Sequence, residues 1–99
     1  LDVLSAEHEP EPALATALVA LFGSLYAARI SHGDLKATNL LWHEGRLVVI
    51  DLDAVVQHRS ARSYERAWRR DRARLLRNWP ESSALYRWLD NSLPALAYD

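Results

Sequence analysis

Two short apolar runs, separated by a polar connection, constrain the fold more than any other feature of this sequence. The runs occupy residues 39–42 and 47–50, and the connection between them is His43-Glu44-Gly45-Arg46. Two β-rich runs joined by a short Gly-containing turn predict an antiparallel hairpin over residues 39–50. Polar segments lie at both open ends of this hairpin, at residues 32–38 and at Asp51-Leu52-Asp53.

The rest of the chain has helical periodicity. From Pro12 to near Ser31 an apolar stripe recurs every three to five residues: Leu14, Leu18, Leu21, Leu25 and Ile30, widened by Val19 and Phe22. A second helix, capped by Ser60 or Ser63 and stopped by Pro80, should bury Tyr64, Trp68, Leu75, Leu76 and Trp79. A third, over about residues 82–91, should bury Leu85, Trp88 and Leu89. The sequence therefore predicts a mostly helical α+β fold.

Composition excludes several classes of protein. The chain has 99 residues and a net charge of −1, and its 49% hydrophobic residues are typical of a globular domain. It has no cysteine, which excludes a disulfide scaffold, a thiolate zinc site and a cysteine nucleophile. The apolar stretch at residues 13–30 contains polar residues and does not predict a membrane span. These features favour a soluble protein of a reducing compartment.

The polar segment before the hairpin contains most of the candidate catalytic residues. Residues 32–39 read HGDLKATN, and Asp51 ends the second apolar run. The arrangement resembles the protein-kinase pattern H-x-D-x-x-x-x-N followed by a metal-binding Asp. Asp34 is placed to orient an acceptor hydroxyl and take its proton, and Lys36 to stabilise the transferring phosphoryl group. Asn39 and Asp51 are the candidate ligands of Mg²⁺ and its bound nucleotide, because Mg²⁺ prefers oxygen donors.

The remaining polar residues are expected to have structural or surface roles. His32 is expected to bond the backbone near Asp34 rather than to act as a base. His8, His43 and His58 lack metal-ligand spacing and are interpreted as surface residues. Asp53 either holds a second ion or caps the turn, and the turn is favoured.

The catalytic loop 32–39, extended through Leu41, together with the stretch from Val49 to Asp53, resembles the lipopolysaccharide core kinases. These Kdo and heptose kinases of the bacterial envelope share the protein-kinase-like fold. Asp51-Leu52-Asp53 in place of D-F-G and an Arg-rich helix at about residues 60–79 agree with that group. The resemblance implies the large C-terminal lobe of such a fold, using ATP and Mg²⁺ to phosphorylate a sugar hydroxyl of the lipopolysaccharide inner core. It also implies a cytoplasmic protein at the periphery of the inner membrane.

A complete kinase fold also has a small N-terminal lobe with a Gly-rich loop and a strand Lys paired with a helix Glu. This sequence has three dispersed glycines and one lysine, Lys36, and no methionine. We therefore expect residues 1–99 to be a single unit, a C-terminal lobe without its N-terminal lobe and with little catalysis alone. The alternatives are another small-molecule phosphotransferase, or a non-catalytic pseudokinase that binds through its basic helix.

Charge is unevenly distributed along the chain. Residues 1–58 carry eight acids and three bases, whereas residues 59–99 carry five acids and nine arginines. A solvated helix surface, with Glu65 and Asp71 pairing some arginines, is one interpretation. The other is a docking surface for sugar phosphates or an anionic membrane, through Arg69, Arg70 and Arg74. No nucleic-acid partner is expected, because no base-stacking platform accompanies the charge.

Overall fold

The computed structural model describes residues 4–94 of the chain. Its helices are α1 (Pro12–Ala28), α2 (Ala61–Leu76) and α3 (Ala84–Ser92). Its strands are β1 (Ile30–Ser31), β2 (Leu40–His43), β3 (Arg46–Val49) and β4 (Val56–Gln57). Two 3₁₀ turns, Ala37–Asn39 and Leu52–Ala54, precede β2 and β4. The predicted α+β class is confirmed, and no described helix is both long and apolar enough to cross a membrane.

Strands β2 and β3 form the predicted hairpin. Leu40 pairs with Val49 and His43 with Arg46, which leaves a two-residue turn of Glu44 and Gly45. Both turn residues have positive φ, 49° and 73°, as a type I′ turn requires. The turn is therefore tighter than the four-residue connection inferred from the apolar runs, because His43 and Arg46 belong to the strands.

Helix α1 ends three residues before the predicted end. Arg29 adopts a left-handed conformation (φ 55°, ψ 45°), and its N–H reaches the carbonyls of Leu25 and Tyr26. The chain then extends, so Ile30 lies in β1 opposite Gln57 rather than on the helical stripe. The assignment of Ile30 to the helix was wrong, because an apolar residue at helical spacing fits a strand equally well.

The segment expected to be irregular before α2 contains β4, which pairs antiparallel with β1. The pairing is extended by the His58 N–H, which donates to the Arg29 carbonyl at 2.8 Å. Ser60 is the observed cap of α2, since its side chain accepts from the Ser63 N–H. A two-residue strand has no detectable alternation, so the sequence could not predict β4.

The core forms where the three helices and β2 meet. Its buried hydrophobic residues are Leu14, Leu18, Phe22, Leu35, Leu40, Tyr64, Trp68, Leu75, Leu76, Leu85, Leu89 and Leu93. The rings of Phe22 and Trp68 lie 5.9 Å apart, and the Trp68 indole N–H donates to the Pro94 carbonyl. Trp79 and Trp88, expected in the core, are only partly buried at its edge. For Trp79 the reason is that α2 ends at Leu76, before the ring could continue the buried stripe.

Candidate active site

The imidazole of His32 ties the catalytic loop to the end of the hairpin. Its Nδ1 accepts the Asp34 N–H at 3.1 Å, so Nδ1 carries no proton. Its Nε2 lies 2.9 Å from the Ile50 carbonyl oxygen, which can only accept, so Nε2 carries the proton. The two contacts together fix one neutral tautomer. The expectation that His32 bonds the backbone near Asp34 is confirmed.

A carboxylate from α2 holds the same loop from the other side. Asp71 is 3% exposed and accepts the N–H of His32 at 2.6 Å and that of Gly33 at 2.9 Å. The interpretation of Asp71 as a surface partner of nearby arginines was wrong. Its position three residues after Trp68 and four before Leu75 places it on the buried stripe of α2, and this was the signal available in the sequence.

Gly33 allows the loop to approach the turn that follows Asp51. It has φ +94°, and a Cβ at this position would lie 2.6 Å from Ala54 Cβ and 2.9 Å from its carbonyl oxygen. The positive φ and the lack of space for a Cβ therefore each require glycine at position 33. The catalytic loop and the Leu52–Ala54 turn are therefore packed backbone to backbone.

The Asp34 carboxylate lies between two cations. Lys36 Nζ is 3.5 Å from Oδ2, and Arg74 Nε is 3.8 Å from Oδ1. The Asp34 side chain is 42% exposed, so the carboxylate remains open to an incoming group. The sequence predicted Lys36 beside Asp34 but not Arg74, which it assigned either to a solvated helix surface or to a docking surface for sugar phosphates or an anionic membrane.

Asn39 and Asp51 lie at the same end of the hairpin. The Asn39 backbone carbonyl accepts the Ile50 N–H at 2.9 Å, and Asp51 is the next residue. The buried Asn39 side chain donates its Nδ2 to the Asp34 carbonyl at 2.8 Å, which leaves Oδ1 as its acceptor. Asp51 is exposed and has a left-handed backbone (φ 59°, ψ 64°), which Asp tolerates better than most residues.

This donor set fits Mg²⁺. One carboxylate and one amide oxygen are the hard ligands that Mg²⁺ takes from proteins while it keeps several waters. Among residues 4–94 no three His, Asp or Glu side chains converge. Asp53 lies exposed within the Leu52–Ala54 turn.

The family comparison agrees with this geometry. The RIO-domain family model matches residues 1–81, which include the catalytic loop, the hairpin and α2. The chain belongs to the RIO-domain family. This family is protein-kinase-like, so the match supports kinase function in general, and kinase-like families use ATP and Mg²⁺. It does not extend to the lipopolysaccharide core kinases. No curated protein and no solved structure matches the chain significantly.

His58 is a structural residue of this RIO domain rather than a surface residue. Its Nε2 lies 2.7 Å from Ser31 Oγ and its Nδ1 lies 2.7 Å from Ser63 Oγ. The ring also packs edge-on against Tyr64 at 5.9 Å. The expectation of a surface histidine was wrong, because the β1–β4 pairing carries His58 over the start of α2.

The three arginines proposed to face a membrane are distributed around α2. Arg74 contacts Asp34. Arg70 lines a cavity of about 210 Å³ beside Gly33 and Asp71. Arg69 lines a separate, larger cavity towards α3. Adjacent positions 69 and 70 point about 100° apart around a helix, so the three side chains do not form one stripe.

Proposed function

We propose that this RIO domain is the catalytic lobe of an ATP-dependent phosphotransferase with a hydroxyl acceptor. The observation that carries the proposal is the position of Asp34. Its backbone N–H and carbonyl are fixed by His32 and Asn39, while its carboxylate stays accessible between Lys36 and Arg74. A group fixed in this way can orient a hydroxyl without reorganising during the reaction.

Each side chain of the site has a definable role in this proposal. The Asp34 carboxylate orients the acceptor hydroxyl and takes its proton late. Lys36 and Arg74 stabilise negative charge that spreads over the transferring oxygens. Asn39 and Asp51 would hold Mg²⁺, which neutralises charge on the nucleotide phosphates when bound.

The acceptor proposed first is a sugar hydroxyl. This follows from the resemblance of residues 32–41 and 49–53 to the lipopolysaccharide core kinases, which phosphorylate inner-core sugars at the cytoplasmic face of the inner membrane. The two cations beside Asp34, Lys36 and Arg74, are compatible with an acceptor that already carries phosphate. Inner-core oligosaccharides with and without phosphate are therefore the acceptors to compare.

Replacement of Asp34 tests the catalytic role. In the natural full-length protein, Asp34→Asn should lower kcat about 10²–10⁴-fold, because the acceptor hydroxyl loses its base, while ATP affinity changes little. The matched control is Glu44→Gln, which removes a carboxylate at the far end of the hairpin. Unchanged kcat in Asp34→Asn would remove Asp34 from the mechanism and favour a binding module.

Manganese tests the metal site without any turnover. Mn²⁺ replaces Mg²⁺ at oxygen sites and broadens the NMR signals of nearby amides, so we expect broadening centred on Asn39 and Asp51. Asp51→Asn should abolish this pattern, whereas Glu44→Gln should preserve it. Broadening centred on the hairpin turn at Glu44 and Gly45 would contradict the assignment of Asn39 and Asp51 as metal ligands. Equal effects of Asp51→Asn and Glu44→Gln would contradict it as well.

A further inference from the structure

Helix α2 has a second functional face, away from the catalytic loop. Arg69, Arg72 and Leu76 recur at three- and four-residue intervals and therefore share one side of the helix. This side lines an open cavity of about 510 Å³, bordered by the segment after α2 and by α3. Arg70 and Arg74, which lie near Gly33 and Asp34, are on a different side. The cavity is thus separate from the candidate active site.

The lining of this cavity combines positive charge with aromatic rings. Arg69, Arg72 and Arg77 supply guanidinium groups, and Trp79 and Tyr86 supply ring surfaces. Glu81 is the one acidic residue in the lining. The cavity volume lies within the range of about 300–1,000 Å³ that is usual for small-molecule sites.

Arg72 is fixed in orientation by Asp90. Its Nη2 donates to the Asp90 carboxylate and to the Asp90 backbone carbonyl, each at 2.7 Å. Its Nε is buried and has no hydrogen-bond partner among residues 4–94. Arg72 is held in place before any ligand arrives.

We infer that this cavity binds a phosphomonoester carried on a sugar ring. Guanidinium groups match phosphate oxygens in pairs, and Arg69 and Arg77 line the same concave site as Arg72, whose own charge is balanced by Asp90. The faces of Trp79 and Tyr86 suit the apolar face of a ring, and Glu81 can accept hydrogen bonds from its hydroxyl groups. A soluble sugar phosphate and a phosphorylated lipid headgroup present the same chemistry.

Titration of the full chain with glucose 6-phosphate, followed by NMR, tests the inference. We expect saturable shifts of the amides of Arg77, Trp79 and Tyr86, and no saturable shifts with glucose. Arg77→Gln should weaken binding about tenfold or more, because it removes a charged hydrogen-bond donor from the site. Arg66→Gln, an exposed arginine of the same helix outside the lining, is the matched control and should change affinity less than about twofold. Trp79→Ala should weaken glucose 6-phosphate more than inorganic phosphate.

Vesicles distinguish the two sources of ligand. Binding to vesicles that contain phosphatidylinositol 4-phosphate, well above binding to phosphatidylglycerol vesicles of equal charge, would assign the site to a lipid headgroup. Saturable binding of glucose 6-phosphate alone would assign it to a soluble sugar phosphate. Absence of both, or equal weakening by Arg77→Gln and Arg66→Gln, would overturn the inference. Asp34→Asn should leave this binding unchanged, so the result is independent of the proposed phosphotransferase activity.

Discussion

Gly33 meets two separate obstacles to a side chain, its positive φ of 94° and the contact with Ala54. Gly33→Ala should therefore lower the free energy of unfolding by about 2 kcal/mol or more. Gly23→Ala is the matched control, because Gly23 lies within α1 and a Cβ there would meet nothing within 4 Å. This control should raise stability by about 0.5–1 kcal/mol. Urea unfolding followed by tryptophan fluorescence measures both, and equal effects at the two positions would contradict the packing described for the catalytic loop.

Asp71 is the other residue on which the catalytic loop depends. Asp71→Ala would leave the buried N–H groups of His32 and Gly33 without their acceptor, at a cost of about 3 kcal/mol in unfolding free energy. Asp71→Asn retains one acceptor oxygen and should cost less. Glu81→Ala removes an exposed acid and should change stability by less than about 0.5 kcal/mol. Urea unfolding measures the free energy of unfolding of all three variants. If Asp71→Ala lowers it no more than Glu81→Ala does, the two hydrogen bonds of Asp71 contribute little to stability.

At the scale of single elements, the hairpin turn can be improved. Glu44 has φ 49° at the first turn position, where Asn is preferred over Glu. We expect Glu44→Asn to raise the unfolding free energy by about 0.5 kcal/mol. Glu44→Gln removes the same charge without favouring the left-handed region, so it should not. If the Gln variant gains as much as the Asn variant, the effect is electrostatic and the turn conformation is not responsible.

The helices and strands also show how far local pattern extends. The apolar stripe of α1 predicts its start at Pro12, but its end depends on the Arg29 conformation and on β1 pairing with β4. Both determinants involve residues outside the stripe. The hairpin, in contrast, was predictable because its strands and turn are contiguous in sequence. Elements whose partners are local could be predicted, and those that depend on a distant strand could not.

At the scale of the whole molecule, we expect the free energy of unfolding to fall at alkaline pH because of one buried tyrosine. Burial raises the pKa of Tyr64 to about 12 from its ordinary 10.0, with smaller contributions from Tyr26 and Asp71. The folded state holds this proton more tightly than the unfolded state. The associated stability is therefore complete below about pH 10 and is lost as pH rises towards about pH 12.

Unfolding free energies measured across this pH range should test the role of Tyr64. Tyr64→Phe should lose less stability than the native chain as pH rises through the window. At neutral pH the variant should cost little, because the Tyr64 hydroxyl has no hydrogen-bond partner within residues 4–94. Tyr86→Phe, on α3, is the control and should keep the native alkaline decline. If Tyr64→Phe loses as much unfolding free energy as the native chain over this pH range, a group other than Tyr64 causes the alkaline loss of stability.

Local sequence patterns were enough to specify the α+β class, the hairpin, and the loop that carries Asp34, Lys36 and Asn39. These follow from periodicity, turn chemistry and motif spacing, which are properties of neighbouring residues. Only the tertiary structure brought Arg74 to Asp34. It also placed Asp71 under the loop, where it accepts hydrogen bonds from residues 38 and 39 positions earlier in the chain. A sequence pattern shows which face of a helix is buried. Which distant backbone or carboxylate group that face meets is decided by packing of the whole chain.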